Sequence, residues 1–195
     1  EIPECFKATY DLYSKTDYWK IFSQLAKKFE NKNRLKANLK EFFDKIKLIC
    51  LSNDNTQLLV LPQCIVRYKE NEPLSVFTYN KVSVKLTYKD EEYESENIPP
   101  HGEVISEQYR YLNKDGSVSK RYSYNPLVKT VRYTTATIKF GDKTFSFPID
   151  TYQAALQFEE AFNNYCQLFV NGEFADLYKS LINTEDVEVI KAEIK

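Results

Sequence analysis

The stretch Lys81-Val82-Ser83-Val84-Lys85-Leu86-Thr87-Tyr88 decides the fold class. Val82, Val84, Leu86 and Tyr88 alternate with Lys81, Ser83, Lys85 and Thr87. Successive side chains of a strand point to opposite faces, so this alternation predicts a strand with one buried and one wet face. Strands of that kind belong to antiparallel sheets, whereas parallel strands are apolar on both sides. Toward the N-terminus, residues 47–52, 57–68 and 74–79 are rich in Val, Ile, Leu and Tyr and are separated by Asn, Asp, Pro and Glu. That is the punctuation of short antiparallel strands. Toward the C-terminus, the acidic run Asp90-Glu91-Glu92-Tyr93-Glu94-Ser95-Glu96 ends in Pro99-Pro100-His101-Gly102 and reads as a solvated loop.

More strands follow. Residues 107–112 and 118–124 flank Asn113-Lys114-Asp115-Gly116-Ser117, where Asp-Gly supplies the positive φ of a tight reversal. Residues 128–140 and 143–147 form a second hairpin around Gly141-Asp142. Asp150 or Thr151 then caps a helix in which Ala155, Phe158, Phe162, Tyr165 and Phe169 recur at helical spacing, closed by Gly172. Before the strands, Pro3 opens a helical segment over 4–14. Thr16 or Asp17 caps a stronger helix with Tyr18, Phe22, Leu25 and Phe29 on one stripe, widened by Trp19 and Ile21. After Asn31-Lys32-Asn33, the residues Leu35, Leu39, Phe42 and Ile46 repeat that spacing and complete a helical hairpin. The expectation is an α+β protein: a helical hairpin over 1–46, an antiparallel half-open barrel with its capping helix over 47–172, and a tail or linker over 173–195.

A run of antiparallel strands closed by one amphipathic helix resembles a pleckstrin-homology-like or GRAM-like module. Leu58-Leu59-Val60-Leu61-Pro62-Gln63-Cys64-Ile65-Val66-Arg67-Tyr68, followed by Ser75-Val76-Phe77-Thr78-Tyr79-Asn80-Lys81-Val82, looks like the early strands leading to a Tyr-containing turn. Ala136-Thr137-Ile138-Lys139-Phe140, Thr144-Phe145-Ser146-Phe147-Pro148 and the helix with Phe158 and Phe162 look like the closing hairpin and cap. The resemblance covers roughly residues 47–170; the acidic loop and the long hairpin at 107–124 depart from a minimal member. The stretch from Tyr109 to Pro126 also resembles a segment of bacterial proteins that carries no assigned chemistry.

Composition excludes several classes. With 27 basic against 28 acidic side chains and a net charge of −1, the surface as a whole is not tuned to a polyanion. The 4 glycines are Gly102, Gly116, Gly141 and Gly172, each isolated, so no phosphate-cradling Gly-rich loop exists. A single histidine, His101, and no CxxC pair leave a zinc site or a His-based triad without material. Cys5, Cys50, Cys64 and Cys166 read as buried reduced thiols; a disulfide between two of them is the alternative and would place the protein outside the cytosol. Apolar runs such as 58–62 fall far short of the ~18 to 20 residues a bilayer span needs, so no integral membrane insertion is expected. The chain starts Glu1-Ile2-Pro3 with no basic start or apolar signal core and contains no Met, which reads as an excised fragment or mature product.

The neutral total averages unlike parts. Residues 1–50 carry 11 basic and 7 acidic side chains, residues 105–140 carry 7 and 2, and residues 151–195 carry 3 and 8. Within the basic, tyrosine-interleaved hairpin 107–133, Arg110, Lys114, Lys120, Arg121 and Arg132 stand among Tyr109, Tyr111 and Tyr122. Cations that neutralise phosphates beside rings that stack on bases make these the candidate anion-binding residues, for nucleic acid or phospholipid headgroups. The plainer reading is an exposed hairpin whose cations pair with the acidic run. Trp19 and Phe22 are the candidate partner-binding residues, if they face away from the barrel. Glu159-Glu160, adjacent on a helix, point in different directions, and Ser117 and Ser119 near Lys120 lack an oxyanion-forming loop, so no catalytic residue, metal site or cofactor is expected. The functional expectation is a non-catalytic binding or scaffolding module within a larger bacterial, cytoplasmic protein, with an unidentified protein partner. A secreted location stays open, and an anion-binding module using hairpin 107–133 is the alternative.

Overall fold

A computed structural model describes residues 10–11, 13–30, 49–53, 55–73, 75–94 and 97–171. Of the expected segment over 4–14, the described residues Tyr10, Asp11, Tyr13 and Ser14 are helical. Helix α1 (Asp17–Lys27) starts where Thr16 turns extended and its hydroxyl accepts the Trp19 N–H at 3.2 Å. That satisfies one of the donors a helix start leaves open. Its apolar stripe buries Trp19, Phe22 and Ala26. The second arm of the expected helical hairpin, the segment at 4–9, Cys5, Gly172 and the tail at 173–195 lie outside the described residues.

Four strands form an antiparallel meander: β1 (Ile49–Ser52), β2 (Thr56–Val60), β3 (Ile65–Lys69) and β4 (Ser75–Phe77). The stretch 57–68, expected as one strand, is two strands around the turn Leu61-Pro62-Gln63-Cys64. Pro62 has no N–H to give a ladder, and the reversal closes where Leu61 N–H donates to the Cys64 carbonyl at 3.0 Å. Two buried phenols hold this turn from within. Tyr79 Oη donates to the Leu61 carbonyl at 2.7 Å and Tyr165 Oη to the Pro62 carbonyl at 2.5 Å. Burial raises both phenols well above their ordinary value.

The second sheet is built on one long strand. β7 (Leu127–Phe140) pairs along its length with β5 (Val82–Tyr93), from Val82 opposite Phe140 to Tyr93 opposite Lys129. On its other side, the first half pairs with β6 (Glu103–Tyr109) and the second half with β8 (Lys143–Ile149). The turn between β7 and β8 has Gly141 at φ +65°, as a two-residue hairpin requires. The acidic run is therefore not a loop up to Tyr93: it is the far half of β5. Asp and Glu are poor strand formers, but Asp90 lies directly opposite Arg132, and such cross-strand charge pairs offset the propensity.

The last helix, α2 (Tyr152–Val170), is capped by Thr151, whose hydroxyl accepts the Ala154 N–H. It buries Ala155, Phe158, Phe162 and Tyr165, and Phe22 of α1 packs on the last three rings at 5.1–6.0 Å. The same helix seals half of an open sheet edge. Asn163 Oδ1 accepts the Val84 N–H while its Nδ2 donates to the Val84 carbonyl, and Glu159 Oε1 accepts the Leu86 N–H. An amide side chain thus stands in for a neighbouring strand. Beyond Leu86, β5, β7 and β6 continue past this cover as a three-stranded ribbon. The class is α+β with antiparallel sheets, and neither sheet closes on itself.

Candidate interaction surface

The ribbon and the excursion between β6 and β7 contain all eight sequence-predicted anion-binding residues. Residues 110–126 do not form the expected two-stranded hairpin. The turn Asn113–Ser117 is present, with Gly116 at φ +83° and Asn113 N–H donating to the Ser117 carbonyl at 2.7 Å. Beyond it the pairing is limited to one bridge between Leu112 and Val118 and the Ser119 N–H donating to the Tyr111 carbonyl at 3.0 Å. The physical reason is Asn125. Its Oδ1 accepts the Tyr111 N–H at 2.9 Å, and its Nδ2 donates to the carbonyls of Tyr111 at 2.9 Å and Ser119 at 3.1 Å. The side chain takes the place of a paired strand residue and folds 118–125 into a lobe. Ser119 is buried beneath it, and the Tyr111 and Tyr122 rings stack at 4.0 Å.

Two of the candidate cations are consumed inside the ribbon. Arg132 Nε and Nη2 donate to the two oxygens of Asp90 at 2.8 Å each, and its guanidinium lies 4.3 Å over the Tyr88 ring and 5.4 Å from that of Tyr152. The hydrogen bond from Arg132 lowers the Asp90 carboxyl, and Asp90 in turn raises the guanidinium. Arg110 follows β6 while Glu92 and Glu94 belong to β5 and the residue just past it, so its guanidinium reaches across β7 to pair with Glu94, with Glu92 at 3.7 Å. Glu94 also accepts the Tyr124 hydroxyl at 2.7 Å. These pairs tie the three strands together. Lys114, Lys120 and Arg121 are exposed and have no ion-pair partner among the described residues.

Exposed large apolar side chains concentrate at the same end. Val104, Ile105 and Tyr109 of β6, Leu112, Val118, Tyr122 and Tyr124 of the lobe, and Leu127 of β7 are all exposed. Leu112 and Val118, 43% and 42% exposed, form the bridge pair and so share one face. Sequence reasoning noticed the tyrosines here but missed the aliphatic residues.

Trp19 and Phe22, expected as a partner surface, face inward instead. They are 6% and 0% exposed, and Trp19 meets Tyr165 at 5.4 Å. The outward side of α1 carries Tyr18 and Ile21. Ser117 is held by Asp115, which accepts its N–H and hydroxyl at 3.0 and 2.7 Å. His101, at φ +64°, bonds Asp150 through Nδ1 at 2.6 Å on the rim of a half-open cleft of about 660 Å³. Among the described residues, no group of three His, Cys, Asp or Glu side chains is placed to hold a metal ion, and no helix is long and apolar enough to cross a membrane. Burial pushes the Cys64 thiol up to about 11 and the Cys166 thiol to about 12, so both are poor nucleophiles. Comparison with protein-family models, curated proteins and solved structures finds no match to the chain.

Proposed function

We propose that this chain is a non-catalytic module, built on a pleckstrin-homology-like half-open barrel, that binds a partner protein through its ribbon and lobe. The observation that carries the reading is the gathering of exposed Val104, Ile105, Tyr109, Leu112, Val118, Tyr122 and Leu127 at the one end that α2 does not cover. Scattered apolar residues need no explanation, but an ordered group rimmed by polar side chains marks an interaction site. The barrel part is supported by the sequence of a four-stranded meander, a second antiparallel sheet and a closing helix.

A polyanion is the second reading, favoured by Lys114, Lys120 and Arg121, which have no ion-pair partner among the described residues. It loses ground because Arg110 and Arg132 are committed to carboxylates. Site-directed photocrosslinking in living cells separates the two. A photoreactive side chain at Tyr122 should give a discrete protein adduct, absent when the probe stands at Ile21 of α1. Adducts to nucleic acid or lipid from Tyr122, or equal protein adducts from both positions, would sink the proposal.

A further inference from the structure

We infer that the lobe docks an acidic segment of its partner, one whose carboxylates alternate with apolar side chains. This rests on the lobe being a partner surface and adds the chemistry of what it binds. On the ribbon, Lys89, Arg110 and Arg132 are each bonded to a carboxylate, of Glu91, Glu94 and Asp90. Residues 110–126 contain a single carboxylate, Asp115, which is turned back onto Ser117. Lys114, Lys120 and Arg121 remain uncompensated among the described residues; in sequence Lys114 lies between Leu112 and Val118, Lys120 and Arg121 follow that pair, and Arg121 adjoins Tyr122. The surface therefore offers aliphatic and aromatic contact area together with positive charge, which an acidic, apolar-interrupted peptide complements.

Other anionic partners fit less well. A nucleic acid needs cations to neutralise its phosphates, and two of the candidate cations, Arg110 and Arg132, are committed to Glu94 and Asp90, while the facing sides of Tyr111 and Tyr122 are taken by their own stack at 4.0 Å. A membrane docked on the Asn113–Ser117 turn would have to desolvate Asp115, whose carboxyl is held below its ordinary value by its bonds to Ser117.

The test uses the full chain, isotopically labelled, and follows backbone amide signals. The probes are three short peptides with the same Leu, Val and Tyr at alternate positions and Glu, Ser or Lys between them, an oligothymidine, and vesicles of mixed phosphatidylserine and phosphatidylcholine. The Glu peptide should bind about tenfold or more tighter than the Ser peptide and shift Leu112, Val118 and Tyr122. Lys120→Ser with Arg121→Ser should weaken it about tenfold, and Leu112→Ser with Val118→Ser should abolish binding. These side chains are exposed, so unchanged β5 and β7 amides serve as the fold control. Tighter binding of the Ser or Lys peptide at the lobe would overturn the acidic partner and leave the partner surface standing. Shifts from oligothymidine or vesicles alone would overturn both, and a lobe unmoved by the Glu peptide overturns the inference.

Discussion

Replacing Asn125 by Ala should loosen the lobe without loosening the protein. The side chain makes three hydrogen bonds to the main chain, one from Tyr111 N–H and two to the carbonyls of Tyr111 and Ser119, at 2.9, 2.9 and 3.1 Å. Each such bond contributes about 1 kcal/mol net. The site is half-buried, so water recovers part of the loss, and the expected cost is about 2 kcal/mol, or roughly a 30-fold rise in lobe opening. Hydrogen exchange reads this directly. The amides of Tyr111 and Ser119, which donate within the lobe, should exchange roughly 30-fold faster, while amides in the β5–β7 ladder change less than about twofold. Asn125→Asp should do no better than Ala: it keeps an acceptor for the Tyr111 N–H but turns a carboxylate toward two carbonyl oxygens. Unchanged exchange at Tyr111 and Ser119 would refute the claim that this side chain builds the lobe. An equal rise throughout β5 and β7 would refute the separation of lobe from ribbon.

Tyr79→Phe and Tyr165→Phe each strand a buried carbonyl in the β2–β3 turn and should cost about 1–3 kcal/mol in denaturant unfolding; no loss in either would mean that the carbonyls find other partners. The same phenols predict the alkaline limb of stability. Their folded values are raised above the ordinary 10, so their contribution is complete below pH 10 and is lost as pH rises above it. Unfolding midpoints should begin to fall near pH 9, where the raised Cys64 and Cys166 thiols start to cost stability, and fall more steeply beyond pH 10. Cys64 and Cys166, pushed up to about 11 and about 12, should react with a thiol reagent at pH 8 only as fast as the protein opens, and rapid labelling of either would contradict their burial. Gly102→Ala should destabilise the ribbon, because the added methyl would sit 2.5 Å from Val131 Cγ1 and 3.0 Å from the Tyr133 ring. A melting temperature equal to the parent's would show that these side chains yield.

What the sequence revealed divides along the range of the interactions involved. The β7–β8 hairpin and the α2 stripe were legible because Gly141 and the spacing of Phe158, Phe162 and Tyr165 are local signals. The far half of β5 was not, since Asp90 is made a strand residue by Arg132, 42 positions later. The lobe was misread for a similar reason: Asn125 is 14 residues from the Tyr111 backbone it satisfies, and no turn rule announces it. Trp19 and Phe22 lay on a correctly predicted helix, but which way that helix faces is decided by Phe158, Phe162 and Tyr165. For the anion-binding residues, the sequence supplied the positions and the plainer reading, pairing with the acidic run, describes Arg110 and Arg132.

The central claim is that the ribbon's arginines are internal staples and the lobe beside them is a surface for protein. Arginine Nε–Hε signals followed during titration with a heparin oligosaccharide, and separately with the Glu peptide, test it most directly. The account predicts an Arg132 signal unmoved by either ligand, with Leu112 and Val118 amides shifting at lower concentrations of the peptide than of heparin. An Arg132 signal that moves with heparin at lower concentration than the lobe responds to peptide would contradict it.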